Sequence, residues 1–122
     1  HGVRCLESPA LVRRLADARV PLTVCPLSNV KLCVFPTMAQ HNLPALLEAG
    51  LCVTLNSDDP AYFGGYLNQN LTATFEALPQ LGTRHAYAVL RNSLEASFAT
   101  PAAIAGWVAG LDREFARAAG GA

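Results

Sequence analysis

The side chains best suited to chemistry in this chain are the adjacent carboxylates of Asn56-Ser57-Asp58-Asp59-Pro60, directly after the apolar run Leu51-Cys-Val-Thr-Leu55. Asp-Asp-Pro is also good turn and helix-capping chemistry, because aspartate side chains bond nearby backbone N–H groups and proline cannot continue a ladder. The functional reading gives the two acids different tasks. Successive side chains of an extended segment point to opposite sides, so one carboxylate suits a metal and the other a substrate. His1 is a single imidazole at an expected strand end, a position where a histidine on its own is more often structural than catalytic. His41 and His85 have no partner at metal-ligand spacing and are read as structural. Gly64-Gly65 lacks the remaining spacing of a phosphate loop and is read as a flexible helix entrance. Met38, Trp107 and the phenylalanines are read as core or helix-packing residues.

The elements that must hold these groups are legible from periodicity and punctuation. Ser8-Pro9 has the form of an N-cap followed by proline at the first helical position. Leu11, Val12 and Leu15 follow at helical spacing, which predicts a helix over about 9–18. Pro21-Leu-Thr-Val-Cys-Pro26 is a short strand bracketed by prolines, followed by a loop carrying Ser28, Asn29 and Lys31. A second helix is predicted over about 42–48 with Gly50 as its stop, then a strand over 51–55. The strand–helix–strand order leaves a crossover long enough for a parallel pair. Helices are predicted over about 66–78, 84–97 and 101–118, with a frayed tail over 118–122.

Strand parity sharpens this. Leu51, Val53 and Leu55 share one face, while Cys52, Thr54, Asn56 and Asp58 alternate onto the other. Leu22 and Val24 oppose Thr23 and Cys25 in the same way. A parallel sheet covered on both sides reads as continuously apolar, so the small, polar face suggests a barrel interior near a site. In such barrels function sits at the carboxyl ends of the strands, where His1, Ser28-Asn29 and Asp58-Asp59 all fall.

Composition removes other classes. Of 122 residues, 52% are apolar and 15% charged, and nine basic residues balance nine acidic ones. A neutral chain without a basic run offers no footprint for nucleic acid. No stretch approaches the roughly 18 apolar residues of a membrane span, and no signal peptide is expected. The chain is too apolar for disorder. Cys5, Cys25, Cys33 and Cys52 form no C-x-x-C pair, which removes zinc-finger and thioredoxin-like readings. It also removes the H-x-E…P-C-x-x-C zinc signature. Small, buried, reduced thiols in a cytoplasmic protein are expected instead.

His1-Gly2-Val3, Leu22-Thr-Val-Cys-Pro-Leu-Ser-Asn-Val30 and Val53-Thr-Leu-Asn-Ser-Asp-Asp-Pro60 together resemble the adenosine/adenine deaminase family. These are zinc enzymes of the amidohydrolase superfamily built on a (β/α)8 barrel. Ala61-Tyr-Phe-Gly-Gly-Tyr66 is more similar to the adenine branch than to the adenosine branch, and the resemblance continues through Arg91-Asn-Ser-Leu-Glu-Ala-Ser-Phe98. It implies that His1 orients the attacking water and helps deprotonate it. It further implies that Asp58 is a zinc ligand and that Asp59 bonds the purine imidazole edge near N7. The reaction implied is hydrolytic deamination of adenine to hypoxanthine and ammonia, with one Zn2+ per intact site and a small-molecule purine as substrate.

The matching region starts at the family's sixth strand. The fold expected is therefore α/β, the C-terminal part of a TIM barrel from the end of strand six to strand eight plus terminal helices, with 1–122 lying in one deaminase domain. The family's His-x-His pair, its other zinc histidine and its ring-protonating glutamate have no counterpart here. The 122-residue chain by itself is thus expected to be inactive and to require an N-terminal barrel half. The alternatives are an adenosine deaminase, or a truncated remnant acting only by association.

Overall fold

In a computed structural model that describes residues His1–Gly120, two short strands and seven helices are ordered around one parallel pairing. Strand β1 (Pro21–Val24) pairs with β2 (Cys52–Leu55), with Leu22 opposite Val53 and Val24 opposite Leu55. Helices α1 (Pro9–Asp17), α2 (Pro26–Lys31), α3 (Leu43–Glu48), α4 (Pro60–Phe63), α5 (Leu67–Ala77), α6 (Thr83–Glu95) and α7 (Pro101–Gly120) complete the order. Single 3-10 turns lie at Cys5–Glu7 and Met38–Gln40.

Local chemistry explains the boundaries. Ser8 caps α1, its hydroxyl accepting from the Leu11 N–H at 3.3 Å, and Pro9 occupies the first turn. Gly50, at φ +75°, follows α3 in the left-handed conformation that glycine adopts without a Cβ clash. The parallel pair needs its long crossover, and the segment holding α2 and α3 supplies it.

The core lies between the sheet and its covering helices. Val24, Val53, Leu43 and Leu46 are fully buried, and Leu22, Leu51, Leu55, Leu78 and Val89 join them. Burying each such side chain is worth about 1.5–3 kcal/mol. Helix α6 lies across β2, where Val89 enters the core and the Asn92 amide donates to the Val53 carbonyl at 2.9 Å. The other strand face is polar and tied to backbone. The Thr54 hydroxyl donates to the Leu22 carbonyl at 3.0 Å, and the Asn56 amide donates to the Thr54 hydroxyl at 2.8 Å.

Several expectations are corrected. The segment carrying Ser28, Asn29 and Lys31 is helix α2, not a loop, because Pro26 starts a helix at its first turn instead of ending a strand. Asp59-Pro60 opens the unpredicted helix α4 in the same way. Helix α7 continues through Gly120, so residues 118–120 are helical, and residues 121–122 of the expected frayed tail lie outside the described residues. Trp107 and Phe98 are exposed, the latter completely, so neither is core. Of the four free cysteines, Cys33 is exposed while the other three are buried.

Candidate active site

The chain directions of β1 and β2 bring three segments to one edge, the carboxyl end of the strands. From β1 the chain runs through Cys25 into α2, whose first turn presents Ser28 and Asn29, both buried. From β2 it continues as Asn56, whose N–H still donates to the Val24 carbonyl at 2.8 Å, and then turns at Asp58. His1 completes the edge. Its Nε2 lies 3.3 Å from Asp58 Oδ2, and the same oxygen receives the Ser28 hydroxyl at 2.8 Å.

Asp58 reaches this position through a backbone twist. Its φ is +59°, in the left-handed region that aspartate tolerates better than most residues. The alternation expected along Asn56-Ser57-Asp58-Asp59 therefore does not operate, because the ladder ends at Leu55. The two carboxylates are separated by this turn and by helix capping. Asp59 Oδ1 accepts from the N–H groups of Ala61 and Tyr62, at 3.1 and 3.2 Å, and so caps α4. The two acids thus meet different neighbours: Asp59 takes the capping role at α4, and Asp58 turns toward His1 and Ser28.

Ser28 and Asn29, expected at this edge without an assigned role, and His41, expected to be structural, join this cluster. Ser28 bonds the Asp58 carboxylate, and Asn29 bonds His1 through Nδ2 and Nδ1 at 3.1 Å. His41, buried against Phe35 with ring centroids 4.4 Å apart, has its Nε2 3.0 Å from Asn29 Oδ1. Burial pushes the His41 pKa down to about 4, so its ring is neutral near pH 7. No sequence spacing could pair residue 41 with residue 29, but the Ser-Asn dipeptide after a strand ending in proline was a usable signal. His85 stays apart, accepting from the Gly82 N–H at the start of α6.

The donor set can be tested against a metal. Ligand atoms of His1, Cys25 and Asp58 lie within 4.8 Å of one another. Burial, reinforced by the Asp58 charge, pushes the Cys25 thiol up, and it donates to the Thr23 carbonyl at 3.4 Å. A thiol held protonated is a poor ligand. The His1 Nδ1 is engaged by Asn29. Asp58 is the group that fits, an oxygen donor of the type zinc accepts, held in place through its Oδ2.

A carboxylate, an imidazole and a hydroxyl gather at the carboxyl ends of two parallel strands, the edge at which α/β barrels carry their sites. Residues 1–107 match the family model described as "Adenosine deaminase", and the chain belongs to that family. It is 62% identical over 115 residues to an adenine deaminase of Geotalea uraniireducens, covering 94% of this chain and 32% of that protein. It is 61% identical over 115 residues to one from Trichlorobacter lovleyi, covering 94% of this chain and 33% of the relative. The crystal structure of an adenine deaminase from Arthrobacter aurescens superposes with a TM-score of 0.90 at 41% identity, over 94% of this chain and 35% of that one. The chain thus spans about a third of the length of these relatives.

Proposed function

We propose that the chain is the part of a single barrel domain running from the end of its sixth strand through its eighth, with the terminal helices, and that the whole domain hydrolyses adenine to hypoxanthine and ammonia. The observation that carries this reading is the His1–Asp58–Ser28 cluster at the carboxyl ends of β1 and β2, in a chain so similar to proteins named adenine deaminase. In this reading β1 and β2 are the barrel's seventh and eighth strands. The remaining metal ligands and the ring-protonating acid come from the length of the relatives that this chain does not span.

Asp58 serves as one zinc ligand. When bound, zinc supplies a nucleophile by bringing the pKa of a water toward neutrality. His1, beside Asp58, orients the attacking water. Asp59 keeps Oδ1 on the α4 N-terminus and offers its other oxygen to the purine imidazole edge, so that one residue fixes both the helix and the ring. Water's oxygen bonds C6 as the C6–N bond breaks; one of the water's protons leaves with the amine as ammonia, and the other stays on the ring of the 6-oxopurine.

Free adenine is preferred over adenosine in this reading because α4 and its flanks carry Tyr62, Phe63 and Tyr66 next to Asp59. Tyr62 and Tyr66 are exposed, so they are not consumed in packing helix α5, and they can wall the purine where a ribose would sit. Crowding of this kind costs about 1–3 kcal/mol, or roughly fivefold to 150-fold in kcat/KM. The test is kcat/KM of the full-length enzyme for both substrates, followed by loss of purine absorbance. Equal turnover of adenosine would overturn the substrate assignment, and failure with both would overturn the deaminase reading.

A further inference from the structure

We propose that His41 and Asn29 are positioning residues that fix the orientation of the His1 ring and the nitrogen on which it carries its hydrogen. The inference rests on the deaminase reading for its consequence in catalysis, but its geometry stands on the hydrogen bonds alone.

The direction of the chain of bonds is set at its buried end. The backbone N–H of Leu43 can only donate, and it donates to His41 Nδ1 at 3.0 Å. A neutral imidazole has one acceptor and one donor nitrogen, so His41 Nε2 carries the hydrogen. It donates to Asn29 Oδ1 at 3.0 Å. The protonated ring is excluded by the same contact, since two N–H groups would face each other at Leu43, and burial disfavours the cation further. With Oδ1 committed to His41, the Asn29 amide cannot flip. Its Nδ2 therefore donates to His1 Nδ1 at 3.1 Å.

The consequence falls on His1. With Nδ1 accepting, the neutral ring bears its hydrogen on Nε2, the nitrogen 3.3 Å from Asp58 Oδ2. Nε2 thereby turns its hydrogen toward the Asp58 side of the site, at ion-pair distance from the carboxylate, and the deprotonating role that the resemblance implies for His1 would draw on the other tautomer or follow release of that hydrogen. The buried backbone of Leu43, through two side chains, decides which face of the His1 imidazole meets the reaction. Asn29 and His41 are both buried, and the ring of His41 packs against Phe35.

The experiment uses the full-length enzyme with 15N-labelled histidine, metal-free and zinc-loaded, and reads the hydrogen position on each imidazole by long-range 1H–15N correlation. The His1 signals are those lost in His1→Asn. In the native protein His1 carries its hydrogen on Nε2. Asn29→Asp, of the same shape but able only to accept, moves it to Nδ1 and lowers kcat about tenfold to a hundredfold, with KM for adenine changed less than about twofold. His41→Phe keeps the ring but lacks the donor, and lowers kcat about tenfold. His41→Gln, which restores an N–H toward Asn29, recovers most of it. A native His1 with its hydrogen on Nδ1, or a hydrogen that stays put in Asn29→Asp, overturns the proposal. So does a loss in His41→Phe that follows melting temperature and is not rescued by glutamine. A native enzyme that leaves adenine untouched overturns the deaminase reading instead, while the imidazole spectra still decide the relay.

Discussion

Ser28→Ala removes one hydroxyl from a fully buried position and with it the 2.8 Å bond to Asp58 Oδ2. A hydrogen bond to a charged group contributes about 1.5–3 kcal/mol, and the loss is smaller where water can take the vacated place. The Asp58 side chain is 29% exposed, so water reaches its carboxylate. The expected loss of folding stability is accordingly at the lower end, about 1–2 kcal/mol. The effect on metal is larger, because Asp58 sits in a left-handed conformation and Ser28 is one of the two side chains that hold its Oδ2. Partners that orient a ligand in this way change metal affinity about tenfold to a hundredfold. The assay is a chelator competition for zinc on the full-length enzyme, with urea unfolding in parallel. Ser57→Ala is the matched control: its hydroxyl donates to the Asp58 backbone carbonyl at 3.4 Å and leaves the carboxylate alone. Ser28→Ala with unchanged zinc affinity, or Ser57→Ala with an equal loss, would refute the reasoning.

Asp58→Ala should lose metal together with rate, whereas Asp59→Ser, which retains a cap for α4, should keep zinc and raise KM for adenine; metal analysis of the two purified variants separates them. Gly2→Ala should destabilise the protein by about 1–3 kcal/mol in thermal unfolding, since φ is +77° and the new Cβ would stand 2.7 Å from a Leu22 methyl. His41 has a folded pKa of about 4 against an ordinary 6.5. Between those values the unfolded chain binds more protons, so this stabilisation is complete above about pH 6.5 and vanishes as pH falls through 4, amounting to up to about 3 kcal/mol. Urea unfolding at pH 7.5 and pH 4.5 should show that slope in the native protein and a shallower one in His41→Phe.

Both strands were readable to within a residue or two at each end, because Pro21, Pro26 and Gly50 punctuate apolar runs; parity matches burial in β1, whereas all four residues of β2 are buried, Thr54 included. The helices after Leu67 were readable to within about two residues, a limit set by fraying and capping. Helices α2 and α4 were missed for one shared reason. Each opens on proline at its first turn, the signature recognised at Ser8-Pro9, but so short a helix leaves no periodicity to read. The candidate site was legible in its motifs and not in its connections. Asp58 and His1 stand 57 residues apart in the chain and meet only through the parallel pairing. The route from His41 to Asn29 crosses from the segment before α3 to α2, and no local pattern encodes it. Exposure of Phe98 and Trp107 was equally hidden, because helical spacing shows which residues share a face without showing what covers that face.

The positive φ of Asp58 also limits which sequences can inherit this site. Left-handed backbone admits glycine freely and asparagine and aspartate with modest cost, while other side chains meet their own carbonyl. Glutamate, the obvious chemical substitute for an aspartate ligand, would bring the charge but resist the twist. Asparagine would keep the twist but give up the charge. A library that varies position 58 should therefore be almost empty of active members other than the parent, even though the neighbouring carboxylate at 59, in ordinary extended backbone, leaves more room for change. The constraint on residue 58 is conformational before it is catalytic, and directed evolution toward another metal would do better to begin from the groups that touch Asp58 than from Asp58 itself.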